Sequence, residues 1–204
     1  MQPVERLRFR FAEDHDAAAV QAIYAPYCES SVVSFETKAP SVEEIGQRIR
    51  KISEQFPWIV GEFDHRVLGY AYGSRHSERA AYQWSVDATI YVSPLAQRTG
   101  LGRGLYTSLF QILALQGYYK AYAGITLPNP ASVGLHEAMS FKPVGIYRGV
   151  GYKLGGWHDV GWWQLSLQPE SEEPAPPRSI REIRHSQAVQ EALNAGELLV
   201  KSSS

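Results

Sequence analysis

Hydrophobic and polar positions along the first half of the chain follow strand and helix periods. Residues 7–12 alternate apolar and basic side chains, which predicts a half-buried strand. Asp14 can cap a helix whose apolar positions recur every three or four residues. Ser41 and Glu44 form a capping box that opens a second helix, ended by Pro57. Further strands are predicted over 58–63, 67–73 and 84–92, with a tight turn over 64–65 and a polar loop over 75–79.

The second half of the chain has few helices between its strands. Leucine and isoleucine at helical spacing predict a helix over 102–116, and Gly117 stands where a left-handed C-terminal cap belongs. Since strands outnumber helices, we expect an α/β (α+β mixed) fold with one mixed central sheet flanked by helices. The remaining elements are strands predicted near 121–126, 143–147 and 160–167, and a short helix over 130–139.

The composition changes after Gln168. The next residues are polar and rich in proline, which is typical of a linker. Ser179 and Glu182 form another capping box, which opens a weakly amphipathic helix expected to end near Ala195. We therefore expect a main domain over 1–168, a linker over 169–178, and a C-terminal helix with a disordered end over 179–204. The linker is expected to isolate this helix and make it dispensable for the chemistry.

Composition excludes several classes of protein. The chain has 204 residues, 44% hydrophobic and 20% charged, so it can bury a sizeable core. Its formal net charge of -1 argues against binding nucleic acid by bulk charge. The first residues lack the apolar region of a signal peptide, and no apolar stretch approaches the roughly 20 residues that span a bilayer. Cys28 is the single cysteine, so an internal disulfide and a cysteine-built zinc site are excluded. We expect a cytoplasmic protein without a metal.

The most informative segment runs from Tyr91 to Gly104, where a strand, a glycine-rich turn and a helix follow one another. Glycines at 100 and 102 let the backbone approach a ligand, and the helix N-terminus offers unpaired N–H groups to an anion. The spacing fits neither Gly-x-Gly-x-x-Gly nor a Walker loop. A tight structural turn is the alternative, but Gln-Arg-x-Gly-x-Gly in this setting favours a pyrophosphate site.

This segment, Gln97-Arg-Thr-Gly-Leu-Gly102, resembles the acetyl-CoA loop of the GNAT acetyltransferases. Over roughly residues 7–168 the chain is similar to the phosphinothricin N-acetyltransferase family, and to the related arsinothricin acetyltransferases. The resemblance implies a GNAT fold and transfer of an acetyl group from acetyl-CoA to the α-amino group of a glutamate-like amino acid. The motifs that carry it include Phe56-Pro-Trp58, Ala81-Tyr-x-Trp84, Tyr91-Val-Ser-Pro94, Leu127-Pro-Asn129, His136-Glu-Ala138 and Gly156-Trp-His-Asp-Val-Gly161.

The resemblance also assigns cofactor contacts. It implies that backbone groups of strand residues hold the pantetheine arm, that the glycine-rich turn holds the pyrophosphate, and that Asn129 contacts the arm. The strand residues are Ile90, Tyr91 and Val92, and those of the turn are Arg98, Thr99, Gly100, Leu101, Gly102 and Arg103.

The family's catalytic glutamate corresponds to Asp87, a carboxylate one methylene shorter. An amine nucleophile must lose a proton near neutral pH, so a carboxylate acting directly or through water is chemically sensible. A charge facing the strand edge is the structural alternative, and aspartate is depleted in strands. His136 lies at the position of a family histidine and could assist proton transfer, although a structural role is favoured for it. His158 and Asp159 are expected to form a buried pair or a pocket wall.

The loop before Asp87 is expected to anchor the acidic groups of the substrate. The family commonly has two basic residues there, and this chain has Ser77 at the first position and Arg79 at the second. Arg75 could reach in instead, and guanidinium groups suit carboxylate or phosphinate. A solvated loop is the alternative. Phe35 matches an aromatic residue that shapes the family's pocket. Tyr82 is placed in the substrate pocket and, with Tyr147, is a candidate acid for the departing thiolate.

These assignments predict direct acetyl transfer, with the oxyanion stabilised by N–H groups near Tyr91 and Val92. Two alternatives stay open. One is an acetyltransferase for methionine sulfone, methionine sulfoximine or another small amine. The other is a non-catalytic acyl-CoA sensor whose C-terminal helix contacts a partner. The family resemblance implies a homodimer, and the tryptophans at 157, 162 and 163 could lie in its interface.

Overall fold

The computed structural model describes residues 7–201 and contains one seven-stranded sheet. The predicted fold class is confirmed, since one strand pair is parallel and all the others are antiparallel. The strands are β1 (Arg8–Phe11), β2 (Trp58–Phe63), β3 (Arg66–Arg75), β4 (Ser85–Val92), β5 (Lys120–Leu127), β6 (Lys142–Lys153) and β7 (Gly156–Ser166). The helices are α1 (Ala17–Glu29), α2 (Val42–Ile52), α3 (Leu101–Gln116), α4 (Pro130–Ala138), α5 (Ile180–Ile183) and α6 (Gln187–Glu197). The order across the sheet is β1-β2-β3-β4-β5-β7-β6.

Local signals in the sequence set several element ends. Ser41 and Glu44 form the predicted capping box of α2. Gly117 ends α3 with a φ of 100°, the left-handed conformation expected of it. Asp14, expected to cap α1, lies instead inside a short 3-10 turn. The helix begins after Asp16, whose carboxylate accepts hydrogen bonds from Arg10 and from the Glu13 N–H.

Helices cover the sheet on both faces. On one face α1 and α2 pack Val20, Ile45 and Ile49 against strands β2 and β3. On the other face α3 buries the predicted apolar stripe completely, because its leucines and isoleucine lie over the middle of the sheet. The stripe residues are Leu105, Leu109, Ile112 and Leu113.

The C-terminal segment is part of this core. Ile183, Val189 and Leu193 are each at most 5% exposed and belong to the same apolar cluster as α3. The expectation that the linker isolates the C-terminal helix is therefore corrected. Apolar residues at helical spacing on α5 and α6 bury themselves against α3, and the linker itself is held by a hydrogen bond from Trp84 Nε1 to the Ala175 carbonyl. The predicted disorder of the chain's end concerns residues 202–204, which lie outside the described part.

Candidate active site

Strands β4 and β5 run parallel and then separate. They pair over Ser85–Asp87 and Lys120–Tyr122, although β4 continues to Val92 and β5 to Leu127. On its other side β4 stays paired with β3 from Val86 to Val92. The second half of β4 therefore presents backbone N–H and C=O groups to an open wedge instead of to a neighbouring strand.

Asp87 lies at the apex of this wedge, because it is the last β4 residue paired with β5. Side chains alternate along a strand, so Asp87 shares a face with Tyr91, whose ring contacts Tyr24 of α1 at 4.8 Å between centroids. Val86 and Ala88 face the other way, into the core beneath α3. The carboxylate thus points to the α1 side of the sheet, beyond the area that α1 covers.

The carboxylate of Asp87 accepts a 2.6 Å hydrogen bond at Oδ1 from Nδ1 of His76. Burial raises the pKa of Asp87 above its ordinary value of 3.8, and the hydrogen bond and charge of His76 oppose that rise. A carboxyl group with a raised pKa holds a proton more readily near neutral pH. The apex therefore carries a group suited to accepting a proton.

Aromatic rings surround this pair. His76 stacks on Tyr122 of β5 at 4.4 Å between ring centroids and meets the edge of Trp162 at 6.2 Å. Trp162 lies over Gly124, where a β-carbon would come within 3.4 Å of the indole ring. Its buried Nε1 finds no hydrogen-bond partner among residues 7–201. Tyr82, assigned to the substrate pocket, lies 5.9 Å from His76 between ring centroids.

The glycine-rich turn leads into an uncapped helix. Gly100 is the N-cap residue of α3, with a φ of 93° and no side chain to cap the helix, and the Leu101 N–H donates a long 3.4 Å hydrogen bond to Thr99 Oγ1. Arg98 also has a left-handed φ of 65°, and the side chains of Arg98 and Arg103 are exposed. Leu101 buries its side chain in the core, so backbone is what it can offer a ligand. The helix N-terminus therefore retains the free N–H groups of Gly102 and Arg103, with two cationic side chains nearby, for an anion.

Gly102 lies between the wedge and this helix end. A β-carbon at Gly102 would lie 3.3 Å from Leu135 of α4 and within 4 Å of Ile90 and Val92 of β4. The missing side chain thus lets α3 approach α4 and the free part of β4 closely, at the point where the wedge meets the helix N-terminus.

The C-terminal segment braces the other side of the turn. The Lys201 N–H donates to the Thr99 carbonyl at 3.0 Å, and a β-carbon on Gly100 would come within 2.6 Å of the Leu199 carbonyl oxygen. Sequence reasoning missed this contact, since it joins residues about a hundred positions apart. The predicted ligand loop and the chain end are in direct contact.

Asn129 and His136 lie on and beside α4. Asn129 caps the helix, with its side chain accepting a hydrogen bond from Ser132 N. His136 is 3% exposed, and its ring nitrogens contact the Tyr106 hydroxyl at 3.0 Å and the Ser132 carbonyl at 2.8 Å. Burial lowers the pKa of His136 below the ordinary histidine value, so the neutral ring is favoured. These contacts favour the structural interpretation of His136.

The two candidate arginine anchors fall on different sides. Arg75 pairs in register with Val86, whose side chain faces α3, and it forms an ion pair with Glu78 at 2.9 Å. The strand's alternation therefore directs Arg75 away from Asp87, which corrects its expected place in the pocket. Arg79 lies in the exposed loop next to the short 3-10 turn that carries Tyr82. Arg79 and Tyr82 thus lie on the loop that follows His76, whereas Arg75 points to the opposite face of the sheet.

Phe35 lies against β6, on the same side of the molecule as α1. Its ring occupies the space that a β-carbon on Gly151 would take, and it lies 6.4 Å from His158. The buried ammonium group of Lys153 fastens this loop by donating to the Ser34 carbonyl at 2.6 Å. Phe35 is 37% exposed, which suits a pocket wall better than a core position.

His158 and Asp159 do not form the expected pair. His158 Nε2 contacts the Lys153 carbonyl at 3.0 Å, whereas Asp159 accepts hydrogen bonds from Arg148 Nη1 at 2.6 Å and Gly149 N at 2.7 Å. Adjacent residues in a strand point to opposite faces, which separates the two side chains. Asp159 instead stabilises the irregular part of β6.

Within residues 7–201, no group of three or more His, Cys, Asp and Glu side chains is placed to hold a metal ion. No helix in that range combines the length and the hydropathy that a membrane crossing needs.

Comparison with known proteins identifies the class to which this geometry belongs. The profile of the Acetyltransferase (GNAT) domain matches residues 9–162. A crystal structure of a GNAT superfamily phosphinothricin acetyltransferase from Sinorhizobium meliloti in complex with AcCoA superposes with a TM-score of 0.77. The two chains are 29% identical, and the match covers 83% of this chain and 96% of that one. The fold and the wedge are those of a GNAT acetyltransferase.

The curated relatives narrow this class. A phosphinothricin N-acetyltransferase from Streptomyces viridochromogenes is 42% identical over 184 residues, which is 90% of this chain and 98% of the relative. An L-methionine sulfoximine/L-methionine sulfone acetyltransferase from Salmonella typhimurium is 30% identical, over 79% of this chain and 95% of that protein. The chain belongs to the phosphinothricin N-acetyltransferase family of GNAT enzymes, and it is an acetyl-CoA-dependent N-acetyltransferase.

Proposed function

We propose that this enzyme transfers the acetyl group of acetyl-CoA to the α-amino group of a glutamate-like amino acid such as phosphinothricin. The observation that carries the proposal is the wedge between β4 and β5, with the half-buried carboxylate of Asp87 at its apex. The 42% identity to a phosphinothricin N-acetyltransferase supports the substrate class. Arsinothricin, as an analogue of the same amino acid, falls within this proposal.

The cofactor would lie along the free half of β4. Backbone groups of Ile90, Tyr91 and Val92 would bind the pantetheine arm as a neighbouring strand does, because β5 has already diverged there. The pyrophosphate would reach the N-terminus of α3, where the N–H groups of Gly102 and Arg103 are free to donate. The residues proposed for this second contact are Arg98, Thr99, Gly100, Leu101, Gly102 and Arg103, with Asn129 beside the arm.

The chemistry at the apex is a nucleophilic acyl substitution. Asp87 takes a proton from the substrate ammonium group, directly or through a water molecule, and the free amine then attacks the thioester carbonyl. N–H groups near Tyr91 and Val92 stabilise the oxyanion that forms. The C–S bond then breaks, the thiolate leaves with the electron pair, and the nitrogen releases its second proton as the amide forms. Tyr82 and Tyr147 are the candidate acids that protonate the thiolate, and the proton released from nitrogen restores the acid.

The substrate would lie on the α1 side of the sheet, between the aromatic rings of His76 and Phe35. Arg79 would bind the acidic side-chain group of the substrate, since a guanidinium group suits carboxylate and phosphinate oxygens. Methionine sulfone and sulfoximine are the second candidates, supported by the 30% identity to an acetyltransferase for those compounds. The free carboxylate at the apex favours a catalyst over an acyl-CoA sensor, because a sensor has no need of a base there.

We further propose that the enzyme forms a homodimer in the cytoplasm. Strands β6 and β7 and their turn expose several large apolar side chains, which is more than an isolated surface usually carries. Trp157 is 70% exposed and contacts Tyr152, which is itself 60% exposed. A second copy covering this surface would bury both rings. Sedimentation equilibrium tests this: a monomer at micromolar concentration contradicts the proposal.

The function is tested by acetyl-CoA consumption across phosphinothricin, arsinothricin, methionine sulfoximine, methionine sulfone and ordinary amino acids. We expect the highest kcat/KM for phosphinothricin or arsinothricin.

Asp87→Asn should lower kcat by about 10²–10⁴-fold without changing the KM for acetyl-CoA, because it removes the proton acceptor and keeps the shape of the side chain. Asp87→Glu, which restores the family's usual carboxylate, should keep much of the activity. A folded Asp87→Asn enzyme with wild-type turnover would contradict the proposed base.

A further inference from the structure

His76 occupies a position from which it can act on the proposed base. It follows the last residue of β3, and strand alternation brings its side chain to the same face as Asp87. The ring is clamped by Tyr122, with planes inclined by 18°, and by the edge of Trp162. Its side chain is 23% exposed, and that of Asp87 is 31% exposed. Because Tyr122 and Trp162 pack against the half-buried imidazole ring, its Nδ1 is held in a fixed direction.

The hydrogen bond between the two residues uses one carboxylate oxygen. Nδ1 of His76 contacts Oδ1 of Asp87 at 2.6 Å, which is short even for a charge-assisted bond. Oδ2 accepts no hydrogen bond from any side chain or backbone group of residues 7–201. With Asp87 ionised, the carboxylate only accepts, so the imidazole donates from Nδ1.

We propose that His76 is a positioning residue for the base of this enzyme: it fixes Asp87 through Oδ1 so that Oδ2 receives the proton of the substrate ammonium group. This rests on the proposed function. The proton leaves the ammonium nitrogen, directly or through water, and the O–H bond forms at Oδ2. The substrate loses one positive charge, Asp87 loses its negative charge, and His76 keeps its Nδ1 proton. The hydrogen bond thereby holds the Asp87 side chain in one of the rotamers that it could otherwise adopt.

The same contact sets the pH range in which the base is ionised. Burial raises the pKa of Asp87 and the bond from His76 holds the rise down, so loss of the donor raises this pKa further. The other titratable groups on this face include Tyr72 on β3, Tyr91 on β4, Tyr82 and Tyr122. The Glu36–Arg48 ion pair lies near Tyr72, and its two charges cancel each other. None of these groups donates a hydrogen bond to Asp87, so His76 is the contact whose removal is informative.

Two substitutions separate positioning from packing. His76→Phe keeps a ring against Tyr122 and removes the donor. His76→Asn removes the ring and places an amide N–H close to the position of Nδ1. We expect His76→Phe to lower kcat by about 10- to 100-fold, as loss of a hydrogen bond to a charged group does, with an unchanged KM for acetyl-CoA. Its acidic limb of kcat/KM should move to higher pH by about one to two pH units. His76→Asn should keep most of the activity and the wild-type limb.

The reverse pattern overturns the inference. If His76→Phe is as active as wild type while His76→Asn is impaired, the ring matters for packing alone. If both variants lose the acidic limb altogether, His76 itself is the proton acceptor and Asp87 orients it. Asp87→Asn serves as the reference: if it turns over normally, the proposed function of Asp87 fails, whereas an inactive Asp87→Asn beside a fully active His76→Phe refutes the role of His76 alone. Thermal unfolding of each variant checks that the fold is retained.

Discussion

Helix α6 should contribute strongly to the stability of the whole enzyme, and Leu193→Ala measures that contribution. Leu193 is 4% exposed and packs with α3, while Ser108 Oγ of α3 donates to the Ala192 carbonyl at 2.9 Å and the Leu193 carbonyl at 3.2 Å. Removing three buried carbon atoms from such a site costs about 2–5 kcal/mol, because the lost transfer free energy adds to the cavity left behind. For a chain of this size each kcal/mol lowers the Tm by about 2–4 °C. We therefore expect a fall of about 4–20 °C.

Leu198→Ala provides the matched control. Leu198 ends the same helix and is 83% exposed, so the same chemical change should alter the unfolding free energy by less than about 0.5 kcal/mol. Differential scanning calorimetry of the two variants and the wild type gives the comparison directly. Equal melting temperatures for all three proteins would refute the argument and restore the original expectation that the linker isolates the C-terminal helix.

Four further substitutions test the site and the contacts that support it. Gly102→Val should raise the KM for acetyl-CoA about tenfold or more, which is equivalent to about 1.4 kcal/mol. The reason is that the valine side chain would fill the space beside Leu135. An unchanged affinity for acetyl-CoA, measured by calorimetry, would contradict this. Arg79→Ala should raise the KM for an acidic substrate about 10- to 100-fold and spare the KM for acetyl-CoA, whereas Arg75→Ala should change neither value. Asp16→Asn should destabilise the fold by about 3 kcal/mol at pH 7 in urea titrations. Burial raises the pKa of Asp16, but hydrogen bonds from Arg10 and the Glu13 N–H outweigh burial and lower this pKa. The ionised carboxylate therefore stabilises the fold above about pH 4, and this stabilisation is lost as the pH falls further. A difference in unfolding free energy between wild type and Asp16→Asn that does not change with pH would contradict this.

The elements could be predicted where the signal is local. The capping box of α2 and the strand-turn-helix order around Gly100 are each written in a few adjacent residues, and both are found in the structure. Strand β6 was predicted over five residues near 143–147 and spans twelve. Glycines and an irregular register interrupt its pattern, and the hydrogen bonds of Asp159 that hold the irregular part together come from a different strand.

The site could be predicted only in part, because its geometry is tertiary. The position of Asp87 was indicated by the resemblance, but the divergence of β4 from β5 depends on pairing between strands that no periodicity records. His76 was missed because it lies in a loop with charges of both signs, where a solvated side chain is the ordinary expectation. Strand alternation also explains why Arg75 points away from Asp87, since a shift of one position along β3 moves a side chain to the other face of the sheet.

The hydrogen bond from the Phe9 N–H to Glu197 Oε1, at 2.7 Å, places the last helix beside the first strand. In space, α6 therefore stands where an element preceding β1 would stand, although the chain reaches it last. Such proximity permits circular permutation. New ends can be opened in the proline-rich segment around Pro176, which is largely exposed. In a permuted chain that begins with α5 and α6, these helices would be made before α3 and the glycine-rich turn against which the segment after α6 packs.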